Sequence, residues 1–407
     1  MTSGASAAPK AARTTRHVGS IAAALVLPAV WFVLHARDLV HDPGAVALAS
    51  GGAIFGASFL LSWVSEAAQL DIPQALALAV LALIAVLPEY AVDVYFAWRA
   101  GQDPSYTSYA AANMTGSNRL LLGVGWAAPV LVVWARTGRR EVALPRDQAV
   151  EVNFLALATL YSFVIPLKGT LSLVDSVILF VIFVAYLRAA GRTHHGEPEI
   201  EGPAEALVRL GPTGRRVGVL ALAAVAGAAI LTAAEPFAES LIATGRRLGI
   251  EEFLLVQWLA PLASEAPEFI VAILFAMKGA AAAGIGTMVS SKVNQWTLLV
   301  GALPAAFALS HGSLTPMHLD MRQREEIFLT SAQSVLGLVA IANFRFAVPE
   351  AVALFVLFAV QLVFTSPTAR WLYAAAYLLI AAAIVVWSPD VRQSVRSLFP
   401  QRPRRHA

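Results

Sequence analysis

The stretch LIAVLPEYAVDVYFAW, residues 83–98, reads as the interior of a membrane until Pro88, Glu89 and Asp93 interrupt it. A charge at the middle of a bilayer costs about 2.5 to 3.5 kcal/mol on insertion scales, so acids placed there are rarely filler. The chain around this segment is built for lipid. Of its 407 residues, 58% are hydrophobic and 14% charged, whereas a soluble chain is about 25% charged. Mostly apolar runs of about 18 residues or more recur along the whole length, each able to cross about 30 Å of hydrocarbon as a helix. The reading is an all-α polytopic membrane bundle of about 12 transmembrane helices. Spans are expected near 18–36, 45–66, 72–98, 106–136, 148–166, 172–190, 216–243, 252–278, 282–309, 325–343, 348–366 and 370–387.

With the N-terminus inside, the cytoplasmic segments hold more than twice the Lys and Arg of the outer loops. The positive-inside rule therefore puts both termini in the cytoplasm of a multi-pass cell-membrane protein. Lys10 to Arg16 form a basic flank, but a long apolar region follows it without a convincing small-residue cleavage site, so the first span reads as an uncleaved anchor. Composition narrows the chemistry. Cysteine is absent, which excludes disulfides, thiolate metal sites, iron–sulfur clusters and cysteine nucleophiles. The eight histidines fall near span ends or in loops, which argues against a haem or zinc enzyme in the bundle. There is no HExxH, GxSxG or GxGD, so the chain reads as no enzyme. The expected partners are inorganic cations and the lipid bilayer, with no nucleic acid.

The chain repeats itself. LPEYAVDVYFAWRAG at 87–101 precedes YAAANMTGSNRLLLGVG at 109–125, and APEFIVAILFAMKGA at 266–280 precedes AAGIGTMVSSKVNQWTLLVG at 282–301. Each copy is a Pro-Glu-aromatic in an apolar helix, a turn after a basic residue and glycine, then a Gly/Ser/Asn cluster opening another helix. FLALATLYSF at 154 and FLTSAQSVLG at 328 extend the match. Five spans per copy is an odd number, so the second copy is inserted upside down relative to the first. Inverted repeats with core helices interrupted near the midplane are the usual architecture of secondary transporters. The division is residues 1–43 as tail and extra first span, 44–190 as first repeat, 191–215 as cytoplasmic linker, 216–366 as second repeat, and 367–407 as last span and basic tail. Ala204–Leu210 in the linker is expected to lie on the membrane surface as a short amphipathic helix, and the tail to be disordered and drawn to anionic lipid.

At these residues the sequence resembles the cation/calcium exchanger superfamily, whose paired repeats carry G-[ST]-S-x-P-E on one helix and G-N-x-x-G-S-N on the next. The resemblance implies a sodium/calcium exchanger-like antiporter moving Ca2+ or a related cation against Na+ or H+, with no resident cofactor. A Na+/H+ antiporter and a non-transporting relative acting as sensor or scaffold are the alternatives. The residues themselves support cation chemistry. Pro88 and Pro267 would free the carbonyls of Ile84 and Ala263, and hard cations take oxygen ligands from several groups. Glu89 and Glu268 are the first carboxylates to consider, and the resemblance points to the same two. Asp93 lies four residues past Glu89 and Glu265 three before Glu268, on the same helical faces. Neutral oxygens come from Asn113, Thr115, Ser117 and Asn118 in the first repeat, and from Ser264, Thr287, Ser290, Ser291, Asn294 and Gln295 in the second.

The departures from the family pattern are specific. Ala85 and Val86 replace a Thr/Ser pair, Glu265 replaces a serine, and Leu121 falls where a later amide belongs. Arg119 and Lys292 place fixed cations within the Gly/Ser/Asn clusters. Four carboxylates against two cations would leave charge for one divalent ion, two monovalent ions or two protons. Lys292 is read as a proton-coupling group or a static ion pair, and Arg119, which does not deprotonate, as a structural or tethered-cation substitute. Glu66, Glu235 and Glu239 are expected near span ends, Gly52 to Gly56 at a close helix contact, and Glu151, Glu325 and Glu326 at helix starts.

Overall fold

Helix starts in the computed structural model fall where the sequence supplies caps. Asp42 accepts from the Ala45 N–H at 3.0 Å ahead of Pro43. Asp320 and Gln323 form a reciprocal capping box, and Ser366 accepts from Ala369 ahead of Pro367. The structure describes residues 10–71, 86–193, 200 and 202–398. Its helices are α1 (Lys10–Ala36), α2 (Pro43–Ala68), α3 (Leu87–Gln102), α4 (Tyr106–Leu120), α5 (Ala127–Thr137), α6 (Ala149–Ser162), α7 (Val164–Lys168), α8 (Leu173–Thr193), α9 (Ala204–Val208), α10 (Gly211–Leu248), α11 (Glu252–Met277), α12 (Ala281–Asn294), α13 (Val300–His311), α14 (Met321–Ile341), α15 (Val348–Gln361), α16 (Pro367–Trp387) and α17 (Pro389–Leu398). Two π-helical turns, Leu121–Trp126 and Gln295–Leu299, join α4 to α5 and α12 to α13.

Among the described residues, nine stretches are long and apolar enough to cross a membrane. The twelve expected spans are therefore not all met. Much of the third, 72–85, lies outside the described residues, as do Ile84 and the basic tail from 399. In place of 325–343, α14 carries Arg322, Arg324, Glu325 and Glu326 in its opening turns, and in place of 348–366, α15 has only 14 residues.

The chain forms two compact units, Met1–Tyr95 with His194–Leu255, and Phe96–Thr193 with Val256–Ala407. In the first, α2 packs along α10 and α1 through small residues. A Cβ on Gly51 would come within 2.7 Å of the Phe237 ring, and one on Gly56 within 2.6 Å of the Ala24 carbonyl oxygen. Of the GxxxG pair, Gly56 thus serves close packing, whereas a Cβ on Gly52 would meet only Leu27 at 3.8 Å, an ordinary contact, and the second tight glycine is the neighbouring Gly51. Trp31 is buried on this core and donates to Thr232 Oγ1 at 3.1 Å. In the linker the short helix α9 buries Ala204, Ala206 and Leu207 in protein, and α10 begins at Gly211. Glu235 and Glu239 fall within α10 rather than at its end, and Glu239 accepts from the Tyr95 hydroxyl at 2.6 Å.

Asp71, in the turn after α2, is clasped by Arg215 at 2.7 and 2.9 Å and by Arg216 at 2.8 Å. These guanidinium groups hold its carboxyl well below the usual carboxylate range. A depressed folded value means that the tie contributes fully above the unfolded value, near about 3.9, and is lost as pH falls below it. Asp71→Asn should lower the thermal unfolding midpoint at neutral pH, and the gap from the parent should shrink below about pH 4.

The second unit shows the inversion directly. Two short antiparallel pairs join its connections: β1 (Glu141–Ala143) with β4 (Arg345–Ala347), and β2 (Thr170–Leu171) with β3 (Met317–His318). In the first repeat β1 precedes, and β2 follows, the helix stretch Arg146–Lys168; in the second, β3 precedes and β4 follows α14. The connection before this helix in one repeat is thus level with the connection after it in the other. That requires the two helices to run in opposite directions.

Candidate cation site

Of the proposed cation ligands, Glu89 and Asp93 lie in the first unit and all the others in the second. In the first, Pro88 is the second residue of α3, where a missing N–H costs nothing, rather than a break inside a described helix. Glu89 and Asp93 follow it on one face and are 4% and 0% exposed. In the second unit α11 runs unbroken through both Pro261 and Pro267. Among the described residues, the core helices are irregular at the π-helical turns, one helix later in each repeat. Such turns add a residue to the helical ladder and recur at functional sites.

The π-turns set the site register. Gln295 and Leu121 each open one, so they are equivalent positions in the two repeats, and Leu121 is the apolar counterpart of a polar ligand. By the same register Ser117 matches Ser291, and Asn118 matches Lys292. Gln295 Nε2 donates to Glu265 Oε1 at 2.8 Å, and Ser291 Oγ donates to Glu268 Oε2 at 2.7 Å. Glu265 and Glu268 of α11 are therefore held by Gln295 at the opening of the π-turn and by Ser291 of α12. Lys292, with no exposed surface, donates its ammonium to the Asn118 carbonyl and lies 5.6 Å from the Trp296 ring centroid. The equivalent positions of the two repeats thus touch, as residues near a pseudo-twofold axis must.

Several buried oxygens here have no hydrogen-bond partner among the described residues: Asn113 Oδ1, Ser117 Oγ, Asn118 Oδ1, Asn294 Oδ1 and Gln295 Oε1. Leaving a buried acceptor unsatisfied costs about 1 to 3 kcal/mol each. A set of neutral oxygens beside carboxylates is the donor type that hard cations take, so the residues present fit a cation cargo. Thr115 differs, since its hydroxyl donates to the Ala111 and Ala112 carbonyls and accepts from Gln257. Thr287 bonds Ala283, and Ser290 shares a 2.7 Å bond with the Tyr186 hydroxyl. Ser264 donates back to Ala260 and Pro261.

Arg119 has a partner that the sequence did not indicate. It is 2% exposed, with Nη2 2.7 Å from Glu326 Oε2, Nε donating to the Thr115 carbonyl, and its guanidinium 5.0 Å from the Trp258 ring centroid. Glu325 and Glu326 do open a helix, but both are buried among arginines rather than solvated. A signal was present. Glu326, Thr330 and Gln333 recur at helical spacing on α14, a polar stripe in an apolar segment.

Gly116 sets how closely α4 and α11 approach. A Cβ there would sit 1.7 Å from the Gln257 carbonyl oxygen, a backbone atom that cannot swing away. Gly116→Ala should cost about 1 to 3 kcal/mol or more, and should weaken cation-dependent thermal stabilisation because it displaces Ser117 and Asn118.

Comparison with known proteins agrees with this architecture. Residues 41–190 and 218–366 match the sodium/calcium exchanger protein family, one block for each repeat. Among solved structures, the H+/Ca2+ exchanger CAX is 40% identical with a TM-score of 0.90, over 95% of this chain and 98% of that one. Native YfkE (16% identical, TM-score 0.60, covering 89% of this chain and 99% of that one) and the sodium-calcium exchanger NCX_Mj (14%, 0.51, covering 86% and 99%) share the fold. No curated protein matches the chain. Two inverted copies, each opening a π-turn after a buried Gly/Ser/Asn cluster and each covered by a family match, place this chain in the sodium/calcium exchanger protein family.

Proposed function

We propose that this protein is a secondary active antiporter that moves Ca2+ across the membrane in exchange for H+. The observation that carries the choice of ions is the 40% identity to the H+/Ca2+ exchanger CAX over nearly the whole of both chains. The site chemistry is compatible. Glu268 and Glu265 present carboxylates held by Ser291 and Gln295, and a carboxylate accepts either a metal ion or a proton. Release of Ca2+ then leaves oxygens whose charge protons neutralise, which is the stoichiometric basis of exchange. Glu89 fills in the first repeat the place of Glu268 in the second and is the proposed first-repeat carboxylate, with Asp93 one helical turn further on. The protein resides in the cell membrane with both termini in the cytoplasm, a placement supported by the bias of Lys and Arg toward those loops.

The test is flux in proteoliposomes under an imposed pH gradient, following Ca2+ and lumenal pH together, with a Na+ gradient as a parallel arm. Proton-driven Ca2+ movement without Na+ is the expected result. Ca2+ movement only with Na+ would reassign the driving ion, Na+-dependent proton flux without Ca2+ would make it a monovalent exchanger, and silence in every arm would leave a non-transporting member of the family.

A further inference from the structure

The family match ends at residue 366, one residue before α16 begins. That appended helix nevertheless sends a charge into the second unit. Arg370 is 6% exposed. Its Nε lies 2.8 Å from Glu325 Oε2, its Nη1 lies 3.7 Å from Glu326 Oε1, and Nη1 also donates to the Thr365 carbonyl. Trp371, next in sequence, donates its indole N–H to the other Glu325 oxygen at 3.2 Å. Glu326 in turn holds Arg119 of α4 and accepts from Gln257, which also donates to Thr115. Gln333 closes the group by donating to the Arg119 carbonyl. The links are continuous from the appended helix to the helix that carries Asn113, Ser117 and Asn118.

Charge balance gives this chain of contacts its stiffness. Two buried carboxylates face two buried guanidinium groups, with the half-buried Arg322 as a third cation beside them, and each acid has a dominant partner: Glu325 has Arg370, and Glu326 has Arg119. Removing Arg370 would leave two acids at consecutive positions of α14 to share Arg119 and the half-buried Arg322, in surroundings where an uncompensated charge is expensive. Arg119 would then shift toward a shared position, and the ion pair that ties α4 to α14 at Arg119, next to Asn118, would loosen. We propose that Arg370 is a positioning residue for the cation-binding cluster of α4, acting through Glu325, Glu326 and Arg119 without touching the cation. The proposal rests on the reading of that cluster as part of the transport site, but its mechanical half stands apart from transport.

The experiment uses the full chain in nanodiscs, comparing parent, Arg370→Gln and Arg370→Lys by hydrogen–deuterium exchange. Arg370→Gln should speed exchange in residues 106–120 by about tenfold, more than in α8 or α13, and Arg370→Lys should restore part of the protection, because it keeps the charge but not the forked contacts to Glu325, Glu326 and Thr365. Trp371→Phe, which removes one hydrogen bond to Glu325, should give the same pattern at a few-fold and serves if the Gln variant does not fold. In proteoliposomes Arg370→Gln should raise the half-saturating Ca2+ concentration about tenfold while leaving the maximal rate within about twofold. Unchanged exchange in residues 106–120, an increase spread evenly over the unit, or a Lys variant no better than Gln would each overturn the proposal. A parent that carries no Ca2+ would count against the transport reading alone, because the exchange measurement decides the mechanical coupling without it.

Discussion

Glu268→Gln should abolish exchange, raising the half-saturating Ca2+ concentration by about a thousandfold and eliminating the proton movement coupled to it. The substitution keeps the shape of the side chain and removes only the charge and the titratable proton. Two unit charges about 4 Å apart interact by about 4 kcal/mol at the effective dielectric typical of protein sites, which is close to three decades of affinity. An amide cannot carry a proton through the cycle either, so both half-reactions fail together. Glu268 accepts from Ser291 Oγ at 2.7 Å, and Ser291→Ala removes that orienting bond while leaving the charge. Its effect should be smaller, about tenfold, a scale typical of groups that orient a ligand rather than bind the ion. Flux under a pH gradient and the Ca2+-dependent rise in thermal midpoint are the two measurements. A Glu268→Gln protein that still shows a Ca2+-dependent midpoint shift like that of the parent would remove Glu268 from the ion site.

The second large effect is one of folding. Glu326→Gln leaves the Arg119 guanidinium 2% exposed and without its carboxylate, with Trp258 and the Thr115 carbonyl as its remaining contacts. Breaking a buried pair from one side costs about 3 to 5 kcal/mol, because the surviving charge keeps its desolvation penalty. The variant should show a lower denaturation midpoint and a lower yield of folded protein. Arg119→Met combined with Glu326→Gln removes both charges and should recover much of the loss, since an apolar replacement of a buried pair is often close to neutral. Full recovery of stability with transport still impaired would separate the structural role of the pair from its part in placing Asn118. A single variant as stable as the parent would mean that Arg370, 3.7 Å from Glu326 Oε1, and Gln257 do not depend on the charge of Glu326.

The main lines of the fold were legible because they are written locally. A Pro-Glu-aromatic followed by a Gly/Ser/Asn cluster, twice, with five apolar runs in each copy, required two inverted units before any tertiary contact was known. The pairing of β1 with β4 and of β2 with β3 is the structural form of that arithmetic. The count of spans was less secure. A run such as 348–366 satisfies an apolar window, whereas its helix stops at Gln361 and leaves a 14-residue element. Pro267 lies inside a continuous helix, and the residues before Pro88 lie outside those described. Proline forbids one hydrogen bond but does not dictate that a helix must break there, and neighbours within α11 carry it through both of its prolines.

What the sequence determined by itself was the identity of the polar groups in the apolar spans, since the cost of placing Glu89, Asp93, Glu265 and Glu268 in such segments is the same whatever the fold. It also determined the two copies and the inversion that follows from an odd number of spans. What only the tertiary structure decided was partnership. Arg119 stands in the Gly/Ser/Asn cluster of the first repeat, yet its carboxylate is Glu326, more than two hundred residues away in sequence. Lys292 reaches the carbonyl of Asn118, the equivalent position of the other repeat, and Arg370 enters from a helix outside both repeats. The physical reason is that desolvation demands a partner for every buried charge without naming one. The choice is made by the packing of helices far apart in the chain, which no local pattern records.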